Sequence, residues 1–144
     1  MIISKNRINR KEDGQAMVEF AIVLPILLVL IFGIIQYGIV FNHYLTLTDA
    51  VRAGARQAAV SRTFADPAGA AEARVRSAAS GSLSDANDTS ALVVTVTPKD
   101  PSGGATFAQG GDVTVTAKYQ YSIDLLGFVV KSGWLTSATT ERVE

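Results

Sequence analysis

A run without a single charged residue, from Phe20 to Phe41, constrains this chain more than any other feature. Gln36 is the only strongly polar side chain within it. As a helix these 22 residues extend about 33 Å at roughly 1.5 Å per residue, which matches a hydrocarbon core of about 30 Å. A cleavable secretory signal has an apolar core of only about 7–15 residues, which is too short. A buried soluble helix this uniform would need more partner surface than a chain of 144 residues offers. The run therefore predicts one membrane-spanning helix.

Charge sets its direction. Lys5, Arg7, Arg10 and Lys11 lie just before the span, whereas Arg52, Arg56 and Arg62 follow at increasing distance. Counting Lys and Arg near the span places the N-terminus in the cytoplasm. The stretch from 1 to 13 is polar and basic-rich, and is expected to lack structure. Over the whole chain 13 basic residues balance 13 acidic ones, so no net field draws it to nucleic acid. With no cysteine and one histidine, His43, the chain has no thiolate chemistry and no evident metal site.

Beyond the span, Tyr44 to about Ser61 continues in helical period. Leu47, Ala50, Val51, Gly54 and Ala58 share one face, and Asp49, Arg52 and Arg56 point away. Ala50, Gly54 and Ala58 form a small-residue row that permits close approach of another backbone. Two occupants fit that row: a helix of a neighbouring subunit, or the sheet of the chain's own domain. Asp66-Pro67 reads as an N-cap followed by proline at the first helical position, and Gly81 as the stop, which predicts a short second helix. The last third changes to a period of two. Leu92, Val94 and Val96 form one strand, and Val113, Val115, Ala117, Tyr119 and Tyr121 line a second. Trp134 to Val143 reads as a third. Pro98, Pro101 and four glycines make the link between the first two a loop, long for a hairpin. The fold class is α+β, with a long membrane-spanning helix, a shorter second helix and a small antiparallel sheet.

The segment entering the span carries its own chemistry. Gly14 has no side chain and resists helix, so it offers an extended, unhindered bond to a protease at the membrane surface. Cleavage between Gly14 and Gln15 would free an α-amine one turn before Glu19. A carboxylate at that depth is costly unless paired, which makes such an amine its natural partner. Glu19 at the interface, solvated by headgroups, is the plainer alternative. Pro25 removes the hydrogen bond to the Ala21 carbonyl and is best tolerated beside other helices.

Gly14-Gln15-Ala16-Met17-Val18-Glu19-Phe20 resembles the cleavage motif of type IV prepilins. With Ala21-Ile22-Val23-Leu24-Pro25 added, it resembles more narrowly the TadE-like family of the tight-adherence (Tad, or Flp) pilus system. Phe32 to Gly38 resembles that family's glycine-punctuated end of the span, Asp49 to Arg56 its alanine-arginine-glycine helix, and Ser137 to Glu144 its closing strand. Glu12 and Asp13 depart from the usual basic run before the glycine.

The resemblance implies a minor pseudopilin of the bacterial inner membrane, with its C-terminal domain outside and the option of entering the pilus. It implies three regions: a leader over 1–14, the helix and its extension over 15–62, and a soluble domain over 63–144. The implied partners are a prepilin peptidase acting at Gly14 and Gln15, other pilins packing through Glu19, Phe20 and Pro25, the assembly platform, and the membrane. No cofactor is implied. The Tad major pilins are mostly helix, so the β-rich third argues against that assignment.

An enzyme finds little support. There is no cysteine nucleophile, no phosphate-binding glycine loop and no serine beside a plausible base. Asp85-Ala86-Asn87-Asp88 lacks the glycine and closing glutamate of a calcium loop, since position 96 is valine. The competing functional class is a binding module on a single-span anchor, with its β domain recognising an external ligand.

Overall fold

The structure, a computed structural model, describes residues 9–125 and 127–144. The leader's Lys5 and Arg7 lie outside the described residues. The first helix, α1, spans Asn9–Val60, 52 residues without a break. It starts earlier than expected: residues 9–13 are helical, and so is Gly14. Pro25 lies inside it, and the helix continues on both sides.

One face of α1 becomes progressively covered along its length. Gly33, Gln36, Val40 and His43 are half-buried, and Leu47, Ala50, Val51, Ala55, Ala58 and Ala59 are buried. Spacings of three and four keep this stripe on one side. The N-terminal half of α1 packs on nothing: its most apolar 18-residue window, of mean hydropathy 2.9, is 0% buried. A soluble core helix would bury that window, so the bare surface belongs to a helix that meets lipid or other chains.

Helix α2 spans Pro67–Ala79. The Asp66 carboxylate accepts a hydrogen bond from the Gly69 N–H at 2.8 Å, and Pro67 occupies the first turn, as the sequence pattern predicts. The stop differs from expectation. Ser80, in right-handed helical conformation, closes the helix through its N–H to the Arg76 carbonyl, and Gly81 is not in the left-handed region. Ala71, Val75 and Ala79 face α1 and the core.

Three strands, β1 (Leu92–Lys99), β2 (Asp112–Leu125) and β3 (Phe128–Arg142), form an antiparallel sheet in that order. Pro98 and Lys99, expected in the link, are paired with Val113 and Asp112. Pro98 is tolerated because β1 is an edge strand, where a missing N–H costs no ladder bond. The β2–β3 hairpin reaches well past the expected strand ends, to the pair Leu125 and Phe128, with a register shift between Ile123 and Asp124.

Alternate residues of β2, namely Val113, Val115, Ala117 and Tyr119, are buried on the face that meets α1, and α2 reaches the sheet at β1. The core thus lies between the C-terminal half of α1, α2 and one face of the sheet. The chain end locks this arrangement: Glu144 N–H donates to the Ala59 carbonyl at 3.1 Å, and Val143 N–H to the Gly111 carbonyl at 2.8 Å. The first of these satisfies a carbonyl that the helix C-terminus leaves without an intrahelical partner.

The β1–β2 link is built around one carboxylate. Asp100 accepts from Ser102 N–H (2.8 Å), Ser102 Oγ (2.6 Å), Gly104 N–H (2.9 Å) and Thr106 Oγ1 (2.9 Å). Gly103, at φ +94°, supplies the left-handed residue of the turn.

Candidate assembly site

Helical geometry brings Gln15 and Glu19 together. Four residues apart, they lie on one face, and the Gln15 side-chain amide donates to Glu19 Oε1 at 3.2 Å. Both residues are exposed, as are Met17, Val18, Phe20 and Ile22. Glu19 is therefore a carboxylate on a bare apolar helix, with one neutral donor beside it and no salt bridge among the described residues. The structure corrects the expected conformation at Gly14. The Gly14–Gln15 bond lies within α1, so cleavage there would require this turn to unwind first. Glycine disfavours helix by about 1 kcal/mol relative to alanine, which eases that opening. Space is not an obstacle: nothing lies within 4 Å of where a Gly14 side chain would begin.

Pro25 lies about 1.7 turns beyond Glu19, and together with Ile26, Val29 and Leu30 it lines a shallow, open apolar recess. This surface is unoccupied by any other part of the chain.

The small-residue row has a different fate. Ala50, Gly54 and Ala58 are all buried, and the element seated on Gly54 is α2 of the same chain. A side chain on Gly54 would overlap Val75 Cγ2 and lie 3.1 Å from the Ala71 carbonyl oxygen. Of the two occupants considered, the chain's own domain takes the row, through a helix as well as the sheet. A neighbouring subunit cannot reach it without displacing α2.

The acidic loop at 85–88 is structural. Asp88 accepts from the N–H and hydroxyl of Ser90, which hold its carboxyl below the usual range. Arg76 donates to the Ala86 carbonyl at 2.9 Å and to Glu72 at 2.8 and 2.9 Å, tying α2 to the turn. No group of three or more metal-ligating side chains gathers among the described residues. His43 stacks edge-on against Tyr119, with ring centroids 5.6 Å apart, and partial burial lowers its pKa.

Sequence reasoning missed one long-range contact. Gln36, the lone polar side chain of the apolar run, donates to the Asp124 carbonyl at 2.9 Å. These residues are 88 positions apart, and no local pattern links them.

The bare apolar helix that runs into the small α+β head is long and apolar enough to cross a membrane. Residues 14–56 match the family model described as TadE-like protein, from Gly14 to Arg56 in the head's core helix. Over that segment, less than a third of the chain, it is similar to TadE-like proteins. The match lies wholly within α1 and does not extend to α2 or the sheet. No curated protein and no solved structure matches the chain.

Proposed function

We propose that this chain is a minor pseudopilin that serves pilus assembly as a structural subunit rather than as an enzyme. The observation that carries this reading is that the TadE-like match at 14–56 takes in the whole of the apolar stretch of α1 that the fold leaves bare. In the proposed pathway a prepilin peptidase removes residues 1–14 and leaves Gln15 as the first residue. The new α-amine then lies one turn from Glu19, and an amine from an adjacent subunit can take the same carboxylate. An ion pair inside a membrane is stable only when the charges are matched. The resulting register would be set by Glu19, with Phe20 and the Pro25 recess supplying apolar contact.

The chain would sit in the bacterial inner membrane with its N-terminus in the cytoplasm, following the basic residues before the span. Residues 15–62, helical as far as Val60, would anchor it and residues 63–144 would complete the head outside. Other pilins and the assembly platform are the partners this reading requires.

Co-isolation from membranes of cells expressing the Tad machinery tests it. The tagged full chain should bring down pilins of that system. Glu19→Ala should still insert into the membrane but recover several-fold less of them. Recovery unchanged by Glu19→Ala would remove the pairing mechanism. Recovery of no pilins by the unaltered chain would favour the alternative, a binding module on an anchor. That alternative draws on half-exposed Trp134, which with Val93, Lys118 and Thr136 lines a recess on the outer face of the sheet.

A further inference from the structure

The β2–β3 hairpin runs down α1 toward its apolar half. Tyr119 stacks on His43, whereas Asp124, five residues further on, meets Gln36, seven residues earlier in the helix. Gln36 lies five residues inside the end of the charge-free run at Phe41, a depth of about 7.5 Å along the axis. The hairpin continues by at least one more residue pair, Leu125 with Phe128, which adds about 3.3 Å. Its tip therefore reaches about 10 Å below the end of the run, a depth typical of apolar side chains inserted at a membrane surface.

The tip is built for such a place. From Leu125 to Val130 there is no charged residue, and Asp124 and Lys131 flank the stretch. Phe128, Val129 and Val130 are 78%, 65% and 61% exposed, so the head leaves them uncovered. Backbone pairs Asp124–Val129 and Leu125–Phe128 join the two strands down to the tip, and the register shift leaves Val130 out of the pairing. Where β2 extends past its pairing with β1, Gln36 donates to the Asp124 carbonyl, which gives the only polar amide of the run a partner. Trp134, paired with Gln120 near the level of His43, is half-exposed at a height where indole favours the headgroup region.

We propose that the tip of the β2–β3 hairpin, through Phe128, Val129 and Val130, inserts into the lipid leaflet beside α1 as a second membrane contact. This fixes the head against the bilayer at a set height and rotation about α1. The inference rests on α1 spanning the membrane. Lipid is the occupant because the tip is continuous with the bare surface of the run itself, at a depth where lipid surrounds an isolated anchor.

Depth-dependent fluorescence quenching tests it. Single-tryptophan forms of the full chain are made on a Trp134→Phe background, with Phe128→Trp at the tip, Leu30→Trp in the span and Thr97→Trp on the distal sheet. Each is reconstituted at low protein-to-lipid ratio in phosphatidylcholine–phosphatidylglycerol vesicles carrying acyl chains brominated near the glycerol. The proposal expects bromolipid quenching at 128 several-fold stronger than at 97, with iodide quenching in the reverse order. Quenching at 30 but iodide-accessible, lipid-insensitive fluorescence at 128 overturns the hairpin proposal alone. Shielding of 128 from both quenchers indicates a protein contact and also overturns it. Absence of lipid quenching at both 30 and 128 removes the span as well.

Discussion

Val75 of α2 lies directly over Gly54 of α1, so close that a methyl group on Gly54 would overlap Val75 Cγ2. Two helices of one chain thus meet at a glycine, backbone against side chain. Gly38, four turns earlier on the same helix, has nothing within 4 Å of its missing side chain. The same substitution should act oppositely at the two sites. Gly54→Ala forces overpacking and should destabilise the head by about 1–3 kcal/mol. Gly38→Ala gains helix propensity and should be neutral or stabilising, by up to about 1 kcal/mol. Thermal unfolding of the detergent-solubilised chains, followed by near-ultraviolet circular dichroism, measures both.

Arg76 ties α2 to the turn that follows it. Its side chain is 15% exposed, and it donates to Glu72 and to the Ala86 carbonyl. Arg76→Ala leaves that carbonyl without its donor and should cost about 1–3 kcal/mol. Glu72 is 41% exposed and water can replace it, so Glu72→Ala should cost under about 1 kcal/mol. Denaturant unfolding of the two variants should show this asymmetry; equal losses would place the stabilisation in the ion pair instead.

Asp100 predicts a pH dependence. Hydrogen bonds, chiefly from Ser102, Gly104 and Thr106, lower its pKa from 3.8 to about 2. A carboxylate whose folded pKa is depressed favours the folded loop above the unfolded pKa. That contribution is lost as pH falls from 3.8 toward 2. Carboxyl-carbon NMR should place the Asp100 midpoint near the lower value, with the Ser102 and Gly104 amides shifting at the same midpoint. A midpoint near 3.8 would mean the loop is not held by its carboxylate.

The parts of the fold that were legible had local causes. The anchor followed from a charge-free run of membrane length, α2 from Asp66-Pro67, and the paired strands from alternation in 92–97 and 113–122. The lower hairpin was not legible, because Leu125 to Val130 is apolar at every position but Gly127 and shows no period of two. The helix through Gly14 overrides glycine's own preference, since apolar helix continues immediately after it. For the row Ala50, Gly54 and Ala58, sequence fixes that something approaches closely but not what does so. Gln36 stood out in the sequence only as an anomaly, and its partner lies 88 residues away. At the candidate site, the spacing of Gln15 and Glu19 was readable from helical period alone.

The claim that this chain is a processed pilus subunit is tested most directly at its first residue. The membrane form should be isolated from cells with an active prepilin peptidase and its N-terminal peptide identified by mass spectrometry. The account predicts a chain beginning at Gln15, and a Gly14→Ala form that retains residues 1–14. A membrane form still beginning at Met1, and unaltered by Gly14→Ala, would contradict it.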